Sequence, residues 1–160
     1  MTGDLLVGID PGANGGIAWQ FDGGLVAAER MPKTEAEVVE ILADLAHSAN
    51  NPVAYLERVG GFIAGRPAPG SRMFNFGRGY GVLIASLISS RYRIVEITPQ
   101  AWQKKIGVKF PEGVSSNDRK KLLKGLAQKT HPDLAADITL ATADALLVLE
   151  AGRQIERGDP

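Results

Sequence analysis

The amino-acid sequence predicts an α/β fold in which helices flank a mixed five-stranded sheet. Three consecutive apolar segments are separated by short turns that contain glycine, a pattern typical of an antiparallel meander. Two further strands alternate with helical segments, and a crossover through a helix permits parallel pairing within the same sheet. The five strands are predicted at residues 5–10, 16–21, 24–30, 53–56 and 93–98.

Helical periodicity and capping signals account for most of the remaining chain. Thr34 and Glu37 form a capping-box pattern, and apolar residues then recur at helical spacing through Ala46. A turn is predicted at residues 50–52, and the glycine- and proline-rich stretch 60–70 predicts a loop. Further helices are predicted at residues 71–90 and 99–106, from Ser115 or Ser116 to Lys129, and from Asp137 or Thr139 to about Arg157.

Length and composition indicate one domain, predicted over residues 1–160, with 44% hydrophobic and 22% charged residues. No apolar run approaches the ~20 residues that cross a bilayer, and the apolar segment after Asp4 is too short for a signal peptide. We therefore expect a cytoplasmic protein with no membrane partner. Because the chain has no cysteine, a metal would need oxygen ligands or one of two histidines, His47 and His131. Oxygen ligands favour Mg²⁺ or Mn²⁺.

Three carboxylates lie at positions that favour a shared site. Asp10 closes the first apolar strand and precedes a glycine-rich turn, and Glu57 ends the fourth strand. If the fourth strand pairs beside the first, these two side chains emerge next to each other. Asp144 lies among small and apolar residues of the last helix, where an inward position and a solvated position are both possible. Three acids on separate rigid elements fit the geometry that holds divalent ions for phosphodiester hydrolysis.

Charge is strongly segregated along a chain whose net charge is zero. Residues 1–57 carry nine acids and two bases, a net charge of −7. Residues 58–124 carry thirteen bases and three acids, a net charge of +10, and residues 125–160 return −3. This asymmetry predicts a cationic surface for a polyanion. The alternative is that the arginines are scattered over a structural surface.

Five separated motifs resemble those of RuvC-like Holliday junction resolvases, which have the ribonuclease H-like fold. The order and spacing of the motifs agree over nearly the whole chain. The motifs are Gly8-Ile9-Asp10-Pro11-Gly12, Tyr55-Leu56-Glu57, residues 71–81, Thr98-Pro99-Gln100-Ala101-Trp102, and Ala143-Asp144-Ala145-Leu146. The resemblance implies a crossover junction endodeoxyribonuclease that cuts branched DNA as a homodimer. It also implies that Asp10, Glu57 and Asp144 are the catalytic metal ligands, with two Mg²⁺ or Mn²⁺ ions and no nucleotide cofactor.

The sequence departs from this family at one ligand position. Members commonly carry an acid or histidine one helical turn before the last aspartate, where this chain has Ala141. Asp137 lies seven residues before Asp144, about 10 Å along a continuous helix. Either Asp137 reaches inward from a distorted helix start, or the fourth ligand is water or absent. Asp137 is alternatively the N-cap of the last helix.

Basic and aromatic residues of the middle segment are the candidates for DNA contact. Resolvases place active-site lysines in regions that correspond here to Lys104 or Lys105 and to Arg119 or Lys120, and we take Lys104 and Lys120 as the catalytic candidates. Each basic residue has a solvated surface position as its alternative, and each aromatic residue has core packing. The predicted DNA contacts are Arg58, Phe62, Arg66, Arg72, Arg78, Lys105, Arg119 and Lys121. The family resemblance also predicts a dimer interface on helix 71–90, with Val82, Leu83, Leu87 and Ile88.

Two other functions are compatible with parts of the sequence. An actin-like or sugar-kinase-like phosphotransferase also begins with a strand, an aspartate and a glycine turn. The chain is short for such a two-lobed enzyme, and no second phosphate-binding glycine loop follows a later strand. A catalytically silent junction-binding module is the other alternative, because Ala141 leaves the ligand set incomplete.

Overall fold

The computed structural model describes residues 3–60 and 70–160, and the mixed five-stranded sheet predicted from the sequence is confirmed. The strand order is β3-β2-β1-β4-β5. β1 pairs antiparallel with β2 and β2 with β3, whereas β1 pairs parallel with β4 and β4 with β5. The strands are β1 (Gly3–Asp10), β2 (Gly16–Phe21), β3 (Val26–Arg30), β4 (Ala49–Glu57) and β5 (Arg93–Ile97).

Helices cover both faces of the sheet. The first two helices pack against each other over one core, and the last three surround a second core on the opposite face. A short 3₁₀ helix, Pro132–Leu134, precedes the last helix. The helices are α1 (Glu35–His47), α2 (Gly70–Ser89), α3 (Pro99–Lys105), α4 (Ser116–Thr130) and α5 (Leu140–Arg157). Within the described ranges, none of them is long and apolar enough to cross a membrane.

The predicted turn at residues 50–52 is wrong, because β4 already begins at Ala49. The ladder pairs Gly3 with Ala49 but Leu5 with Pro52, so β4 carries one extra residue at this point. A bulge tolerates the missing N–H of a proline within a strand. The side chain of Asn51 stabilises the bulge by donating a hydrogen bond to Asp4 Oδ1 at 2.8 Å.

Capping residues fix where the helices begin. The predicted capping box between Thr34 and Glu37 is present at the start of α1. Ser115 caps α4, with its side chain accepting from the backbone of Asp118. Thr139, and not Asp137, is the N-cap residue of α5.

Candidate active site

Asp10 and Glu57 leave neighbouring strands at the same edge of the sheet. The parallel ladder pairs Ile9 with Leu56, so the next residue of each strand is one of the two acids. Adjacent strands lie roughly 4.8 Å apart, and paired residues point to the same face. Asp10 is half-buried and Glu57 is buried. The strand ends thus place two carboxylates side by side.

Helix α5 lies directly against this face of the sheet. A Cβ at Gly8 would lie 2.5 Å from the carbonyl oxygen of Ala145 and 2.4 Å from the backbone nitrogen of Leu149, so only glycine fits there. Asp10 shares the face of Gly8 because strand residues alternate. Asp144 precedes Ala145 on the same helix and is half-buried. The close approach of α5 therefore adds a third carboxylate to the edge.

Burial and neighbouring carboxylates raise the pKa values of this cluster. Burial, followed by the charges of Glu57 and Asp144, raises the pKa of Asp10 from 3.8 to about 8. Burial and the charge of Asp144 raise the pKa of Glu57 from 4.5 to about 7, and a hydrogen bond from Trp102 acts in the opposite direction. Burial also raises the pKa of Asp144. Crowded and partly desolvated carboxylates of this kind favour a cation among them.

Lys120 is the basic residue whose charge acts on this cluster. It lies in the second turn of α4, and its positive charge lowers the pKa of both Asp10 and Asp144. Lys104, the other candidate lysine, is exposed near the end of α3. These interactions place Lys120 near Asp10 and Asp144 of the acidic cluster.

The donor set suits a hard divalent ion. Carboxylate oxygens are the ligands that Mg²⁺ and Mn²⁺ prefer. Among residues 3–60 and 70–160, no three acidic or histidine side chains form a complete metal cage as they stand. Binding would therefore require the carboxylates to move towards a shared ion.

The sequence interpretation gave no role to Trp102, which contacts Glu57. The indole is fully buried, and its Nε1 donates a hydrogen bond to Glu57 Oε2 at 2.6 Å. A buried tryptophan N–H needs an acceptor, but Trp102 and Glu57 are 45 residues apart, so the local sequence carried little signal of this contact.

Solved structures of RuvC from Thermus thermophilus are similar to this chain. RuvC in complex with a Holliday junction substrate matches with a TM-score of 0.64 at 12% identity, covering 97% of this chain and 96% of that chain. The chain has the RuvC fold. A second RuvC structure from the same organism matches with a TM-score of 0.57 at 14% identity over 96% of both chains. No protein-family model and no curated protein matches the chain.

The remaining predicted site residues that the structure describes are dispersed over the RuvC-like fold. Asp137 is exposed in the turn before α5, so of the two predicted starts of the last helix, Asp137 and Thr139, the one at Asp137 is wrong. Phe62 and Arg66 lie outside the described residues. The other predicted DNA contacts lie at or near the surface: Arg58, Arg72, Arg78, Arg119 and Lys121 are exposed and Lys105 is half-buried.

Several of these basic residues already have partners. Arg78 forms an exposed ion pair with Glu35, at 2.5 Å between Nε and Oε1. Lys105 donates to the carbonyl oxygen of Asp159. Arg119 lies 5.0 Å from the ring centroid of Phe110, and Lys121 lies 3.9 Å from Asp118.

A groove of about 390 Å³ runs beside the glycine turn that follows Asp10. Its lining includes Gly12, Phe76 and two basic residues, Arg72 and Lys33. The charge map had not indicated Lys33, because this lysine lies in the acidic first third of the sequence. The two cations of this groove are candidate contacts for a phosphate backbone.

The predicted interface residues of α2 divide between core and surface. Leu83 and Leu87 are buried in the core beneath α2, so the expectation that they form an interface is wrong. Val82 is half-buried, and Ile88 is 63% exposed. The exposed face of α2 carries four small residues and two large apolar ones. Its members are Gly70, Phe74, Gly77, Gly81, Ala85 and Ile88.

Proposed function

We propose that this protein is a metal-dependent endonuclease that cuts branched DNA, with four-way junctions as its substrate. The observation that carries the proposal is the cluster of Asp10, Glu57 and Asp144 at one edge of a RuvC-like sheet. Burial raises the pKa of all three, and the charges of neighbouring carboxylates add to this effect at Asp10 and Glu57, which reach about 8 and about 7. A solvated surface cluster would lack this desolvation.

Asp10, Glu57 and Asp144 would hold two Mg²⁺ or Mn²⁺ ions through their carboxylate oxygens. Bound ions would lower the pKa of the attacking water and stabilise the leaving 3′ oxygen. In the reaction, water oxygen bonds to phosphorus, the bond from phosphorus to the 3′ oxygen breaks, and that oxygen takes up a proton. Lys120, whose charge already acts on Asp10 and Asp144, would offset negative charge on the phosphate.

We further propose that two copies act together through helix α2. The residues on the exposed face of α2 follow one another at spacings of three and four along the chain. A Cβ added at Gly77 or Gly81 would meet nothing within 4 Å. Small residues at this spacing permit two helices to approach closely, and Phe74, 68% exposed, and Ile88 would be covered at either end. A two-fold dimer would present two active sites for paired nicks across a junction.

The decisive experiment is cleavage of a labelled four-way junction in Mg²⁺ or Mn²⁺. We expect paired nicks with wild-type protein, no cutting in EDTA, and little cutting of a linear duplex made from the same arms. Asp10→Asn should abolish cleavage, and Asp144→Asn should bind the junction without cutting it.

Other results would identify the alternative functions. Tight junction binding without metal-dependent cleavage by the wild-type chain would identify a silent binding module. Nucleotide binding in calorimetry, without junction binding, would favour a phosphotransferase. Cutting that survives Asp10→Asn would refute the proposed mechanism.

A further inference from the structure

Trp102, in helix α3, contacts the side chain of Glu57, a candidate metal ligand at the end of β4. Its Nε1 lies 2.6 Å from Glu57 Oε2, and the hydrogen bond is buried. The indole is 0% exposed, so water cannot replace this acceptor without opening the core. Glu57 is itself buried and belongs to the three-carboxylate cluster.

The sequence after β5 fixes the position of this indole. The β4–β5 ladder pairs Glu57 with Ile97, the last residue of β5. Thr98 then caps α3 by accepting a hydrogen bond from the backbone nitrogen of Ala101 at 3.2 Å, and Pro99 occupies the first turn. Because α3 begins directly at the strand end, Trp102 lies one turn later and close to the neighbouring strand.

The hydrogen bond from the indole uses one oxygen of the Glu57 carboxylate, Oε2, and does not engage Oε1. A glutamate has three side-chain torsions, and ordering them costs conformational entropy whenever the side chain binds an ion. A donor that holds the carboxylate beforehand reduces that cost. Outer partners of metal ligands affect binding in this way, and their loss typically weakens metal affinity by about 10–100-fold.

We infer that Trp102 is a positioning residue that orients the Glu57 carboxylate for metal binding. This inference rests on the metal site of the proposed function. Because the indole is fully buried, Trp102 acts through its hydrogen bond to Glu57. Its role differs from that of a core residue, because a residue that only filled space would not require the N–H group.

A double-mutant cycle on Mn²⁺ binding tests whether Trp102 acts through Glu57. The four proteins are wild type, Trp102→Phe, Glu57→Gln and the double mutant, each titrated with Mn²⁺ by electron paramagnetic resonance. We expect Trp102→Phe to weaken binding about tenfold in the wild-type background and to have almost no effect in the Glu57→Gln background. An equal loss in both backgrounds would overturn the inference.

An isosteric replacement separates the N–H group from the volume of the ring. Trp19 and Trp102 are the two tryptophans in the sequence. In a Trp19→Phe background, a tryptophan auxotroph can therefore replace Trp102 alone with 3-benzothienylalanine, which has sulfur instead of N–H. We expect the thermal unfolding midpoint to remain near that of the matched Trp19→Phe protein while Mn²⁺ affinity falls about tenfold.

Unchanged Mn²⁺ affinity in the benzothienyl protein would overturn the positioning role while leaving the proposed nuclease intact. If wild-type protein and the Trp19→Phe control both fail to bind Mn²⁺, the metal site of the proposed function is refuted, and this inference falls with it. Recovery of Mn²⁺ affinity when tryptophan is restored at residue 102 in the same background would support the positioning role of Trp102.

Discussion

At the scale of single residues, the acidic edge places function in opposition to stability. The pKa of Asp10 is strongly raised, because burial and the charges of Glu57 and Asp144 all disfavour its charged form. Only Lys120 acts in the opposite direction among the causes of its raised pKa. Groups arranged to bind an ion are expected to destabilise the chain when no ion is bound.

Replacing Asp10 should therefore stabilise the metal-free protein at alkaline pH. The folded-state pKa is raised from 3.8 to about 8, so the unfolded chain releases a proton that the folded chain retains between these values. Stability consequently falls as pH rises through this window. We expect Asp10→Asn to raise the free energy of unfolding at pH 8 by on the order of 2 kcal/mol, with little change near pH 4. Urea unfolding in EDTA at pH 8 and at pH 4 measures the free energy of unfolding of wild type and variant. Equal effects of the substitution at the two pH values would contradict the raised pKa.

Lys120 should set the pH at which the acids become available to a metal. Its charge lowers the pKa of Asp10 and Asp144, so Lys120→Met should raise both. Ligating carboxylates must be deprotonated, and the pH midpoint of Mn²⁺ binding should therefore move upward by about half a unit.

Lys121→Met provides the matched control for this change. Lys121 is exposed on the same helix and lies 3.9 Å from Asp118. Calorimetric titration with Mn²⁺ at several pH values should give the wild-type midpoint for this variant. A downward shift for Lys120→Met, or equal shifts for both variants, would contradict the assignment of Lys120 to the site.

At the scale of elements, the sequence predicted most of the fold because each signal was local. Apolar runs defined the meander, and the capping box at Thr34 identified the start of α1. The start of β4 was missed because Pro52 and two asparagines normally indicate a turn, whereas a bulge opposite Asp4 accommodates them here. The hydrogen bond from Trp102 to Glu57 depends on how α3 packs after β5, and a tertiary contact of this kind leaves little trace in local sequence.

The contact between β1 and α5 should depend on glycine at residue 8. A Cβ there would lie 2.4 Å from a backbone nitrogen of α5, and backbone atoms of two packed elements cannot move apart cheaply. We expect Gly8→Ala to lower the free energy of unfolding by about 1–3 kcal/mol. Displacement of α5 would also move Asp144, so Mn²⁺ binding should weaken in the protein that remains folded.

Gly125→Ala is the control for replacing a glycine without a close neighbour. Gly125 lies exposed within α4, and an added Cβ would meet nothing within 4 Å. We expect this variant to gain about 0.5–1 kcal/mol, because alanine favours the helix. Thermal and urea unfolding of both variants tests the prediction, which requires effects of opposite sign.

At the scale of the whole molecule, the charge map and the sheet place unlike surfaces beside one another. The acids converge at the ends of β1 and β4, while Arg72 and Lys33 line the groove next to the turn after Asp10. The sequence predicted this separation only in outline. Arg78, for example, belongs to the basic segment, yet its guanidinium is paired with Glu35 of α1. The distribution of charge along a chain identifies a polyanion partner more readily than it identifies the individual contacts.

The exposed face of α2 gives the proposed dimer a test in which monomer stability and assembly change in opposite directions. Glutamine favours a helix over glycine, so Gly81→Gln should stabilise the monomer by roughly 0.5–1 kcal/mol. Its side chain would also obstruct close approach of a second α2, and we expect sedimentation equilibrium to show a dissociation constant at least about tenfold higher. Gly125→Gln on α4 should give the same stabilisation with wild-type association, because its position is likewise exposed and open. A monomeric wild type, or unchanged association of Gly81→Gln, would exclude this face as the interface.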